Sequence, residues 1–127
     1  KNRLSRTDAR YKLRAFQRIK AEYFQYWIKD NITLPLPIHA WGAGKMARRQ
    51  IQYLKEFGIN VMCSYEVDVQ KIKLSNDHYK IHHYKDLPHP GTCFLVVLIG
   101  QQKIRQQINH FLKDRGYKIV KDYIFLA

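Results

Sequence analysis

Ile38-His39-Ala40-Trp41-Gly42-Ala43-Gly44-Lys45-Met46-Ala47 is the stretch that decides how this chain folds. Ile38 to Trp41 predict a short strand that runs directly into two closely spaced glycines. From Lys45 to Phe57 the pattern is helical, with Ala47, Ile51, Leu54 and Phe57 on one face and Gly58 as the stop. The result is G-x-G-x-x-A between a strand and a helix, and each position has a mechanical reason. Gly42 permits the tight turn, Gly44 leaves space for a pyrophosphate against the backbone, and Ala47 lets helix and strand approach closely. The start of the helix offers free N–H groups to an anion, so Gly42, Ala43, Gly44, Lys45 and Met46 form the candidate phosphate cradle. An acid some twenty residues further on is expected at a ribose hydroxyl. Glu66, 24 residues after Gly42, stands there, with Asp68 as the backup. The plainer alternative is that the glycines only shape a turn in a sheet without a ligand.

Outward from this turn, alternating elements continue. Ile59 to Val67 predict a second strand, and Tyr79 to Tyr84 a short edge strand within the polar stretch Lys71 to Lys85. Asp86-Leu87-Pro88-His89-Pro90-Gly91 reads as a loop. Cys93 to Ile99 is apolar throughout, as suits a parallel strand buried on both faces. Gln101 to Arg115 predict a helix with Ile104, Ile108, Phe111 and Leu112 on one face and Gly116 at its end; Ile119 to Leu126 supply a last strand. Upstream, residues 8–28 predict one long helix with Asp8 as its N-cap. Its stripe of Leu13, Phe16, Tyr23 and Trp27 is expected to pack on the domain core or on a preceding domain. A membrane-surface role for it would require a contiguous apolar face opposite a Lys/Arg face. Asp30 to Pro37, with two prolines, ends that helix. The order implies an α/β fold: a small doubly wound, mostly parallel Rossmann-like sheet over residues 36–127, preceded by a basic helical arm and linker over residues 1–35.

Composition narrows the function classes. A chain of 127 residues accommodates one domain, or one domain plus an arm, and 46% hydrophobic with 26% charged residues rules out wholesale disorder. The longest apolar run, Cys93 to Ile99, is seven residues against the roughly twenty of a bilayer span, and no signal peptide fits. The first residue is Lys1 rather than Met, which suggests a piece of something longer. A net charge of +13 points to anionic partners: nucleic acid, a nucleotide, a phospholipid surface or an acidic neighbouring domain. No nucleic-acid fold signature is present, so nucleic acid is not expected as a partner. Cys63 and Cys93 read as buried thiols of a reducing compartment. His78, His82, His83 and His89 read as solvated loop histidines, since neither cysteine has a C-x-x-C partner to complete a zinc site. Glu66-Val67-Asp68 also matches an acid-x-acid metal motif, but the dinucleotide fingerprint explains Glu66 without a metal. Asn31-Ile32-Thr33 matches a glycosylation sequon, a pattern common by chance. No nucleophile with a positioned base can be argued, so no catalytic residue is assigned.

Arg3-Leu4-Ser5-Arg6-Thr7-Asp8-Ala9-Arg10-Tyr11, followed by Trp41-Gly42-Ala43-Gly44-Lys45, resembles the C-terminal region of certain bacterial family 2 glycosyltransferases. There an R-L-S-R-T-D-P-R-Y-like segment follows the catalytic domain, and a helix leads to a Rossmann-like appendage that opens with I-W-G-A-G. The resemblance continues through Glu66-Val67-Asp68, Lys71-Ile72, Asp86-Leu87-Pro88, the strand ending at Gly100, and Lys121-Asp122-Tyr123-Ile124. Ala9 stands where that family favours Pro, Val69 replaces the Pro after the second acid, and Gln101-Gln102-Lys103 replaces a small or Ser-containing stretch. The resemblance implies an accessory, non-catalytic C-terminal domain of a glycosyltransferase in cell-surface polysaccharide synthesis. It would act on the cytoplasmic side, at the inner face of the membrane, beside a catalytic domain that precedes Lys1. It adds Gly100 to the nucleotide-binding residues, with a dinucleotide or other nucleotide as the cofactor expected. The rival is a nicotinamide-dependent oxidoreductase fragment or redox-sensing module, but roughly 30 residues after the Cys93 strand are too few for a substrate domain. A third class is an adaptor for anionic membrane or nucleic acid, whose binding would fall steeply with salt.

Overall fold

In the computed structural model, residues 2–32 and 35–127 are described, with side chains from residue 9 onward. The elements are α1 (Asn2–Asn31), β1 (Ile38–Trp41), α2 (Lys45–Glu56), β2 (Val61–Glu66), α3 (Val69–Ile72), β3 (Lys80–His83), a 3₁₀ turn (Tyr84–Asp86), β4 (Phe94–Val97), α4 (Gln102–Asp114) and β5 (Tyr123–Phe125). Apolar character on both faces places β4 inside the sheet, between β1 and β5, and all four of its residues are buried. The order is β3-β2-β1-β4-β5 and every pairing is parallel. The fold is therefore the small doubly wound Rossmann-like sheet that the pattern implies.

Alternation along the strands feeds two cores. Ile38, Ala40, Phe94, Val96 and Leu98 meet Ala21 and Phe24 of α1 and Ala47 and Leu54 of α2 on one face. Trp41, Cys63, Tyr65, Leu95, Val97 and Tyr123 meet Ile108 and Leu112 of α4 on the other. Tyr117 closes the second core and donates its hydroxyl to the Pro88 carbonyl at 2.7 Å. None of the helices is long and apolar enough to cross a membrane, among the described residues.

Helix α1 departs from the sequence reading in two ways. Among the described residues it already runs from Asn2, six residues before the expected cap Asp8. Residues 2–8 contain neither Gly nor Pro, and a preference of about 1 kcal/mol for a cap does not stop a helix that can continue. The buried stripe also differs. Gln17, Ala21 and Phe24 are buried, with Trp27 and Ile28 half-buried, whereas Leu13, Phe16 and Tyr23 stay exposed. The sequence holds two apolar stripes roughly one residue apart around the helix, and small Ala21 selects the one that lets α1 approach the sheet. Phe24 stacks on Trp27 and on Phe94 of β4, with ring centroids 5.8 and 6.1 Å apart. Gln17 is half satisfied there: its Nε2 donates to the Met46 carbonyl at 3.1 Å, while its buried Oε1 has no partner among the described residues. Thr33 of the sequon lies outside the described residues. The last strand is shorter than Ile119 to Leu126: Asp122 turns back to accept the Lys118 N–H at 2.7 Å, so only Tyr123–Phe125 pair with β4.

Candidate functional site

At the junction of β1 and β4 the chain leaves the sheet toward opposite faces, through α2 after β1 and α4 after β4. Such a switch point opens a crevice at the carboxyl ends of the strands, the usual ligand position in open parallel sheets. Here the crevice is a cleft of about 530 Å³. Trp41, Tyr84 and Phe111 wall it: the Trp41 and Phe111 rings meet edge-on at 5.6 Å, and Tyr84 meets Phe111 at 5.3 Å. Ile99, Ile104 and Ile108 complete the apolar side, while Glu66, Asp68, Lys71 and Gln107 supply the polar rim.

The glycine turn has the strained geometry its sequence calls for. Gly42 has φ +119°, a region that side chains avoid, and its N–H donates to the Tyr65 carbonyl at 2.9 Å. A Cβ there would stand 3.1 Å from Ile99 Cδ1 and 3.4 Å from the Cβ of Ala47. Ala47 is buried, so its role in close helix–strand approach is the one expected. Gly44 is different: its backbone is extended at φ −72°, and a Cβ would meet only the flexible end of Lys71, 3.4 Å from Nζ. Gly44 is the N-cap of α2 but no side chain caps the helix, and its first turn contains no acid. The side chain nearest the N-cap is therefore that of Lys71, a cation rather than a carboxylate, and exposed Lys45 adds charge. A cation at the positive end of a helix dipole is unfavourable by itself and becomes favourable once an anion lies between them.

Glu66 is placed beside the turn, but its carboxylate is already engaged. Oε1 accepts the Ala43 N–H at 3.0 Å; Oε2 accepts the Val67 and Asp68 N–H groups at 2.8 and 2.9 Å. Buried at the end of β2, it ties the glycine turn to the neighbouring strand. Asp68 caps α3 by accepting the Gln70 N–H through Oδ1 at 2.9 Å, and it is exposed on the rim. The two acids are thus held on separate backbone donors. Met46 is exposed at the turn, and exposed Gly100 follows β4 with nothing within 4 Å of a would-be Cβ; neither it nor residues 42–46 line the cleft itself. Sequence reasoning gave no binding role to Lys71, Trp41, Tyr84 or Phe111. Their only signal is position: Lys71 falls one helical turn after Asp68, in a stretch too polar to assign.

The remaining titratable groups lie elsewhere. His39 Nδ1 pairs with the Tyr65 hydroxyl at 2.9 Å, and burial, with His82 nearby, pushes the His39 pKa down. His78, His82 and His89 are exposed, and His83 Nδ1 accepts the Lys85 N–H at 3.2 Å to cap the 3₁₀ turn. Cys63 and Cys93 are free and buried, and burial raises both thiols, Cys93 to about 12. Among the described residues no three His, Cys, Asp or Glu side chains converge as metal ligands. A second depression of about 400 Å³, beside Arg48, Lys55, Asn60 and His78, shares no residue with the crevice.

Compared with known proteins, the chain matches no family model, no curated sequence and no solved structure.

Proposed function

We propose that this chain is a non-catalytic accessory domain that binds a nucleotide in the crevice, with its phosphates at the start of α2. The observation that carries the reading is the Lys71 ammonium set against the uncapped N-terminus of α2, where a Cβ on Gly44 would lie 3.4 Å from Nζ. Phosphate oxygens between them take backbone N–H groups and a cation at once. The aromatic wall of Trp41, Tyr84 and Phe111 suits a flat base or ribose, and the cleft volume lies within the range of small-ligand sites. Because Glu66 is engaged with three backbone donors, the ribose hydroxyl falls to Asp68. Attachment to a glycosyltransferase of polysaccharide synthesis, at the inner face of the membrane, is supported by the resemblance of residues 3–11, 41–45 and 66–68. In that setting the domain transfers no sugar itself and reports nucleotide levels to the catalytic domain before it.

Calorimetry with nucleoside diphosphates and dinucleotides tests the reading. Lys71→Ala is expected to weaken binding about tenfold, the loss of one charge-assisted contact. Gly44→Val is expected to abolish binding with the melting temperature kept. Binding that survives both substitutions yet disappears in high salt would assign the attraction to the +13 surface and leave the crevice empty of function.

A further inference from the structure

The face of α1 turned away from the sheet carries a second apolar seam that no residue of the described chain covers. Phe16, Ile19, Tyr23 and Tyr26 are 62%, 62%, 67% and 60% exposed. With exposed Lys12 before them and exposed Asp30 after them, their spacings are 4, 3, 4, 3 and 4 residues. That is an uninterrupted heptad seam, with Lys12, Ile19 and Tyr26 at one core position and Phe16, Tyr23 and Asp30 at the other. It lies about 150° around the helix from the Gln17, Ala21 and Phe24 face that docks on the sheet. A partner helix can therefore lie along it without touching the domain.

We infer that this seam pairs with the seam of a second copy of the chain, as an antiparallel helix pair about a two-fold axis level with Ala21. The pattern is symmetric about that point. Ile19 and Tyr23 are each two residues from Ala21, Phe16 and Tyr26 five, and Lys12 and Asp30 nine. An antiparallel partner therefore sets Ile19 against Tyr23, Phe16 against Tyr26, and Lys12 against Asp30 at both ends, giving apolar layers closed by opposite charges. A parallel pair would instead face Lys12 with Lys12 and Asp30 with Asp30. Such a two-fold interface uses the same patch on both chains and needs no other surface. Lys20 and Glu22 flank the seam near the axis, each beside its own counterpart; both are long side chains able to splay, and Lys20 already rests over the Phe16 ring at 5.9 Å. A membrane surface fits less well. Asp30 lies on the midline and Glu22 beside it, where anionic headgroups would be, and a strict heptad seam is narrower than the face of an interfacial helix. The inference is independent of the crevice.

Sedimentation equilibrium of the chain in about 0.3 M salt, which screens the net charge, reads the assembly directly. A seam of under three heptads is expected to associate in the micromolar range, so the mass should double between about 1 and 500 µM. Ile19→Glu should leave only the single-chain mass, with the melting curve of the dilute protein unchanged because Ile19 is an exposed residue outside both cores. Lys12→Asp and Asp30→Lys should each weaken association at least several-fold, and the two together in one chain should restore it. A single-chain mass at every concentration overturns the inference. So does a dimer that survives Ile19→Glu, which would place the contact elsewhere, and so does a pair of charge reversals that fails to restore what each one loses, which would remove the antiparallel register.

Discussion

Glu66→Gln separates a carboxylate that holds the glycine turn from one that waits for a ribose. In the wild type three backbone N–H groups converge on this side chain at 2.8 to 3.0 Å. A glutamine keeps one carbonyl oxygen, which can retain the Val67 and Asp68 N–H groups. Its NH₂ then faces the Ala43 N–H, donor against donor. One charge-assisted bond is lost, worth about 1.5–3 kcal/mol, and the other two weaken as the acceptor loses its charge. The Glu66 side chain is buried, so water replaces little of this. The expected loss of stability is about 3 kcal/mol, and a chain of this length loses about 3–4 °C in Tm for each kcal/mol. Thermal unfolding followed by circular dichroism should therefore show a fall of about 10 °C, with urea unfolding agreeing. Nucleotide affinity measured well below the new Tm should change less than threefold. An unchanged Tm together with lost nucleotide binding would refute the reasoning and return Glu66 to the ribose.

Gly42→Ala should cost about 2–3 kcal/mol, because φ +119° strains any side chain and the added Cβ presses on Ile99 and Ala47; Gly44→Ala should be near neutral, and equal urea midpoints for the two would sink the distinction. Trp27→Ala should lower stability by roughly 3 kcal/mol, since the indole packs on both Phe24 and Phe94; an unchanged melting temperature would mean that the aromatic contacts do not hold α1 to the sheet. Stability should be greatest between about pH 7 and 9. On the alkaline side, Cys93, raised from 9.0 to about 12, and Tyr79, raised from 10.0 to about 12, keep their protons folded and lose them unfolded. Stability is full below the unfolded pKa and falls at about 1.4 kcal/mol per pH unit for each group up to its folded value. On the acid side, His39 resists protonation when folded, so its contribution is present above 6.5 and lost as pH falls. A flat unfolding free energy from pH 5 to 11 would contradict both. Native thiols should also resist an aromatic disulfide reagent at pH 8 until the chain unfolds, because burial keeps them protonated.

Sequence alone determined the order of the strands and of the three long helices, because that order rests on local patterning; the single turn of α3 in the polar stretch after β2 was not legible. Cys93 to Ile99 could be read as a doubly buried strand from its unbroken apolar run, and the tight turn after β1 from Gly42, where a side chain is strained. Gly42 and Ala47 appear in the structure with the roles their spacing implies. The tertiary structure alone decided which of two apolar stripes of α1 docks on the sheet. Both stripes have helical period, and the outcome turned on how closely Ala21 lets the helix approach Phe94, a property of the facing surface. It alone also decided what Glu66 does. Distance along the chain brings an acid to the end of β2, but only folding sets the Ala43, Val67 and Asp68 N–H groups around it. Lys71 was invisible for the same reason: its charge acquires meaning from Gly44, the N-cap of α2, which lies 27 residues earlier in the chain and becomes its neighbour only when β1 and β2 pair.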